Sequence, residues 1–168
     1  MTQTAAVLFT DLVGFTAFTA DRGDDAAVGV LDATRAVVDG AVCGAGGQVV
    51  KELGDGLMVA FPRADAAVRV AAALAASFDA AFDSGESPLA VRMGMHHGPV
   101  TRRGDDLVGH TVNVAARVVD LAGPGELLVS DEVLAACSED HGVSLSPVGP
   151  TRVKGVATPI WLHRLAIR

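Results

Sequence analysis

Two aspartates stand where a chain of this kind can do chemistry. Asp11 ends an apolar run, AAVLFTD over 5–11, and is followed by the turn-like LVGFT over 12–16. Asp55 lies between two glycines in KELGDGLMVAF over 51–61, which reads as two strands joined by a tight turn. A carboxylate at the tip of an element, rather than along a solvated face, suits a metal ligand. Two oxygen ligands with no His or Cys beside them favour Mg²⁺ or Mn²⁺. Each aspartate alone fits equally well as an Asx-turn residue satisfying nearby backbone N–H groups. The choice between the two readings depends on whether the fold brings the carboxylates together.

The elements that would position them follow from periodicity. Residues 5–10 read as a first strand. Asp24 is placed to cap a helix carrying Ala27, Leu31, Thr34, Val38 and Ala41 at helical spacing, ended by Gly44, Gly46 and Gly47. The hairpin at 48–61 comes next. Asp65 is placed to cap a second helix, with Val68, Ala71, Ala75, Phe78 and Phe82 on one stripe. Pro88 opens a strand in which Leu89, Val91, Met93 and Met95 share one face, while Ala90, Arg92 and Gly94 share the other.

Strand, helix, strand, strand, helix, strand is the ferredoxin-like split βαβ order, so the fold class expected is α+β, a ferredoxin-like βαββαβ sandwich. In that topology the first and third strands are antiparallel neighbours, which sets Asp11 beside Asp55. One sheet face is expected to carry the helices and the other to need a cover such as a second subunit, with Arg92 pointing to that open side. A C-terminal extension follows. A helix runs from about His110 to Ala122, with Val112, Ala115 and Val119 as its apolar stripe and Asn113 and Arg117 four apart on an adjacent face. After it come a short strand near Leu127, a helix from Asp131 to Ala136, and a strand pair around Val143–Val148 and Ile160–Ala166. No linker or repeat interrupts residues 1–168, which read as one domain.

Composition narrows the partners. The 168 residues are 50% hydrophobic and 4% aromatic, ample for a core of close-packed Ala and Val. Lys plus Arg is 13 and Asp plus Glu is 20, a formal net charge of −7. That balance argues against nonspecific nucleic-acid or anionic-membrane binding, and a polyphosphate would need locally placed cations. Cys43 and Cys137 fit no metal or redox spacing and read as free thiols. Adjacent His96 and His97 would point to opposite faces of a strand and could not chelate one ion. No basic leader follows Met1, and the longest apolar stretch falls far short of the ~18 residues that span a bilayer. The expectation is a soluble, cytoplasmic protein with no membrane insertion.

Five motifs in order resemble class III nucleotidyl cyclases: FTDLVGFT over 9–16, KELGDG over 51–56, VRMGMHHG over 91–98, VNVAAR over 112–117, and Lys154-Gly155. The resemblance runs from about Ala5 to Leu165. It implies a homodimer with two composite sites, each drawing on both chains. Asp11 and Asp55 would hold two Mg²⁺ or Mn²⁺ ions per site, with the backbone carbonyl of Leu12. Arg92 would contact phosphate on the same side. Lys51 and Asp106 would read the base, Asn113 and Arg117 would serve the transition state, and Lys154 the triphosphate, all from the other chain. The turn through Gly14, Phe15 and Thr16, entering a helix, could offer backbone N–H groups to phosphate.

The implied substrate is ATP. Adenine offers an acceptor at N1 and a donor at N6, which Lys51 and Asp106 complement, whereas guanine presents the reverse. Asp106 rather than Asp105 is selected by its spacing of seven to Asn113. The competing readings are a guanylate cyclase, for which Lys51 and Asp106 are the wrong residues, and a silent nucleotide-binding dimerisation module, which would be expected to lack one of these positions. Blander accounts also exist: Arg117 as a solvated helix residue, Lys154 as a turn cation, and Lys51 as a buried stem. Asn113 is mildly unfavourable in mid-helix and asks for a reason.

Overall fold

A computed structural model describes residues 2–165. In chain order the elements are β1 (Thr2–Leu12), α1 (Phe15–Arg22), α2 (Asp24–Cys43), β2 (Gln48–Leu53), β3 (Gly56–Phe61), α3 (Ala64–Asp83), β4 (Val91–Arg103) and β5 (Asp106–Val108). They continue with α4 (His110–Leu121), β6 (Leu127–Ser130), α5 (Asp131–Ala135), β7 (Leu145–Thr151) and β8 (Ile160–Leu165). The sheet runs β2-β3-β1-β4-β6-β8-β7, with β5 paired to β4. Its first four strands are the expected split βαβ core, and β1 is antiparallel to both β3 and β4. The C-terminal extension adds β6 parallel to β4, then β8 and β7.

The strand period divides the core. Leu8, Val59, Phe61, Met93, Met95, Leu127 and Val129 face α2 and α3, meeting Val38, Val42, Val68, Ala71, Leu74 and Phe78. The alternate residues Ala5, Val7, Phe9, Met58, Val100 and Leu107 face the other way and meet Ala115 and Val119 of α4. Val114, Val118 and Ala122 of α4 continue onto Leu128, Ile160 and Leu162. The second face is therefore covered by the chain's own α4, which corrects the expectation of an open side. Gly94 is the reason the helix can settle there: a Cβ at this position would stand 2.6 Å from the Val119 Cα. Gly98 does the same beneath Thr111, where a Cβ would come 2.5 Å from Oγ1. The apolar stripe of α4 is also wider than expected. Thr111, Val114, Ala115, Val118 and Val119 are buried, while Val112 is only half-buried.

Other boundaries shift for local reasons. The cap of α2 is Gly23, at φ 87°, so Asp24 is the first helical residue and complements the helix dipole instead of capping. Ahead of it α1 forms a separate helix, entered through Gly14 at φ 77°. Asp65 also lies inside its helix, after the Arg63 cap, and is buried against Arg63 at 2.6 Å and Arg69 at 3.5 Å. Phe82, the last of the α3 stripe, is exposed. β1 extends to Thr2–Leu12, and β4 starts at Val91 rather than at Pro88. The last strand is described to Leu165, so its expected end at Ala166 lies outside the described residues. Cys43 and Cys137 are free. No helix among the described residues is long and apolar enough to cross a membrane.

Candidate active site

The register of β1 builds one half of the site. Thr10 pairs with Leu57 of β3, and the Thr10 hydroxyl accepts from the Leu57 N–H at 3.3 Å. The two residues between β2 and β3 are Gly54, at φ 61°, and Asp55. At Gly56 a Cβ would be 2.5 Å from the Thr10 carbonyl oxygen, so only glycine lets the turn lie against β1. Asp55 is thereby delivered to Asp11. Burial, then the Asp11 charge and a side-chain hydrogen bond with Asp11, push the Asp55 carboxyl up, partly offset by hydrogen bonds from its own backbone N–H and then from the Leu12 backbone.

Arg92 is the cross-strand partner of Asp11. Its Nε and Nη2 donate to Oδ2 of Asp11 at 2.8 and 2.6 Å, and its Nη1 donates to the carbonyl oxygen of Asp120 at 3.1 Å. Beside this cluster, Gly14 leads into α1 with no side-chain cap. The first-turn N–H groups of Phe15 and Thr16 therefore lack helical acceptors, as at any helix start.

Two carboxylates side by side, one with its pKa raised by burial and like charge, make a donor set that a divalent cation would relieve. Among the described residues no group of three or more His, Cys, Asp or Glu side chains could hold a metal. Mg²⁺ commonly takes one or two carboxylates and completes its shell with water and substrate phosphates. Asp11 and Asp55 fit that pattern, and would not fit a closed all-protein cage.

The second half lies on β2, β5 and α4. Lys51 Nζ donates to Oδ2 of Asp106 at 2.8 Å, and Oδ1 of Asp106 accepts from the Leu107 N–H at 2.7 Å. The Lys51 ammonium holds the Asp106 carboxyl below the usual range. Asp106 opens β5. Register alone would part the two residues: Lys51 is level with Met58, Phe9 and Gly94, whereas Asp106 is level with Arg103. They meet because the β4–β5 hairpin curls over the α4 face, where Val100 and Leu107 join Val7, Phe9 and Met58.

Asn113 and Arg117 are exposed on α4, and with Lys154 and Gly155 they line an open cleft of about 490 Å³. His110, at the start of α4, lines it too. Sequence reasoning passed over His110 and Asp120, although each stands three residues from a motif residue, on the same helical face. Asp120 Oδ2 is 3.8 Å from Arg117 Nη1. His96 and His97 belong to no metal group. His96 is buried with Nδ1 2.7 Å from the Ser130 hydroxyl, and burial lowers the pKa of both.

Comparisons with known proteins agree with this architecture. The family model described as the adenylate and guanylate cyclase catalytic domain matches residues 1–165. An adenylate cyclase of Streptomyces coelicolor is 35% identical over 124 residues, covering 74% of this chain and 32% of that protein. An adenylate cyclase of Streptomyces griseus is 31% identical over 136 residues, 81% of this chain and 33% of that protein. The chain thus spans about a third of the length of these relatives. The adenylyl cyclase CyaB from P. aeruginosa superposes with a TM-score of 0.88 at 23% identity, covering 100% of this chain and 96% of that one, a likeness of fold. The chain belongs to the adenylate and guanylate cyclase catalytic-domain family, the class III nucleotidyl cyclases.

Proposed function

We propose that residues 1–168 form one cyclase catalytic domain that converts ATP to 3′,5′-cyclic AMP and pyrophosphate at two composite sites of a homodimer. The observation that carries the reading is the Lys51–Asp106 pair, 2.8 Å apart. It presents a donor and an acceptor side by side, as adenine presents N1 and N6, and guanine would meet both with the wrong partner. Leaving such groups unpaired costs about 1–3 kcal/mol each.

In the reaction the ribose 3′-oxygen bonds to the α-phosphorus, the 3′-hydroxyl gives up its proton, and the bond to pyrophosphate breaks. Asp11 and Asp55, with the Leu12 carbonyl, would hold two Mg²⁺ or Mn²⁺ ions, which would acidify the 3′-hydroxyl and neutralise charge on the leaving phosphates. Asn113 orients the ribose so that the attacking oxygen lies in line. Arg117 offers its fork of donors to the phosphoryl oxygens as charge shifts outward. Lys154, in the same cleft, takes the triphosphate. Arg92 and the N–H groups after Gly14 take phosphate on the metal-holding side.

The test is product analysis after incubation with ATP or GTP and either Mn²⁺ or Mg²⁺. Cyclic AMP from ATP, with little cyclic GMP from GTP, is expected. Cyclic GMP as the main product would make this a guanylate cyclase, and no product under any condition would favour a silent nucleotide-binding module.

A further inference from the structure

Arg92 reaches in two directions. Its Nε and Nη2 hold Asp11, while Nη1 donates to the carbonyl oxygen of Asp120. That carbonyl lies in the last turn of α4, where backbone oxygens have no helical partner and the helix dipole attracts a cation. The Asp120 carboxylate itself stands 3.8 Å from Arg92 Nη2 and 3.8 Å from Arg117 Nη1. One carboxylate is thus shared by two guanidiniums. On the reading of shared sites, those two arginines serve different nucleotides, Arg92 at one composite site and Arg117 at the other. The reaction itself asks for no acid at Asp120.

We propose that Asp120 is a positioning residue that couples the two composite sites of the homodimer through Arg92 and Arg117, so that a nucleotide in one site weakens binding in the other. A triphosphate carries several negative charges and draws Arg92 away from the end of α4. Asp120 then keeps Arg117 as its sole cationic neighbour and holds it against the helix, away from its own site. Removing the Asp120 charge frees Arg117 and breaks the link between the two guanidiniums, leaving Arg92 on Asp11 and the backbone carbonyl, and makes the sites independent. The inference rests on the homodimer with shared sites.

The test is calorimetric titration of the dimer with 3′-deoxy-ATP and Mn²⁺, since a nucleotide without the 3′-hydroxyl cannot cyclise. Wild type is expected to bind two per dimer, the second weaker by about fivefold or more beyond the statistical factor, the lower end of ordinary coupling. Asp120→Ala should bind two with equal steps. Both variants keep the backbone carbonyl contact, and Asp120→Asn, which also keeps the side-chain volume, should behave like Asp120→Ala and so assign the effect to the charge. Equal steps in wild type, or the same inequality in both variants, would overturn the proposal. A chain that stays monomeric with Mn²⁺ and nucleotide, seen by sedimentation, would overturn the shared-site reading and the coupling with it. Asp120 is exposed, so melting temperatures of both variants should match wild type.

Discussion

Lys51 and Asp106 are 55 residues apart in the chain, and their side chains meet at 2.8 Å. The contact joins a strand at the edge of the sheet to a three-residue strand on a hairpin that curls over the α4 face. A donor and an acceptor are thereby fixed at neighbouring positions within one protomer.

Asp11→Ala and Asp55→Ala should each abolish cyclisation with Mg²⁺ or Mn²⁺ while leaving the protein folded. Both residues lie at element ends and neither packs in the apolar clusters. Product formation and far-UV circular dichroism check the two halves of this statement. Full activity in both variants would remove them as metal ligands.

Asp55→Asn should raise the melting temperature of the metal-free protein at pH 7. The Asp55 pKa in the folded state is raised, chiefly by burial and then by Asp11. The folded chain therefore binds the proton more tightly than the unfolded chain, and stability is lost as pH rises through the two pKa values. At pH 7, above the unfolded value, the raised pKa leaves a deficit, so removing the charge is stabilising. Below the ordinary carboxylate range the carboxyl is protonated in both states and the gain should vanish. A melting temperature that is equal or lower at pH 7 would contradict this.

Mixing Asp11→Ala chains with Arg117→Ala chains, each nearly dead alone, should restore activity once subunits exchange. A statistical 1:1 mixture is about half heterodimer, and each heterodimer rebuilds one of two sites, so recovery should approach roughly a quarter of wild type. No recovery despite proven exchange would place both residues in one chain's site.

Gly94→Ala should destabilise the fold by about 1–3 kcal/mol, the usual cost of overpacking. At roughly 2–4 °C per kcal/mol for a chain of this size, thermal melting would register it. The new Cβ would run into the backbone of α4 at Val119, which cannot give way as a flexible side chain can.

The meeting of Asp11 and Asp55 is legible in the sequence because strand order alone decides it. Once β1 and β3 are antiparallel neighbours, Asp11 and the turn holding Asp55 have one place to go. The position of α4 was less legible. Gly94 and Gly98 look like gaps on a strand face, and only the packed helix shows that they are its seat. Helix starts were misplaced for a related reason. A side-chain cap leaves a residue-type signal at Asp24 or Asp65, whereas the caps here are Gly23 and Arg63 and depend on backbone conformation. Only the resemblance implies Lys51 and Asp106 as base readers, and the contact between them was not foreseen. Neither register nor periodicity contains the curl of β4–β5 that joins them.

The measurement that bears most directly on base selection is kcat/KM for ATP and GTP in wild type and in the double variant Lys51→Glu with Asp106→Gly, on protein verified as dimeric. The introduced carboxylate would face adenine N1 with a second acceptor, and the acceptor for N6 would be gone. With one or two hydrogen bonds mismatched, ATP use should fall by about ten- to a thousandfold. Some GTP turnover is expected to appear, limited by a pocket looser than one built for guanine. A wild type that prefers ATP and a double variant with that preference collapsed is the predicted result. An unchanged ATP-to-GTP ratio would contradict Lys51 and Asp106 as the base readers.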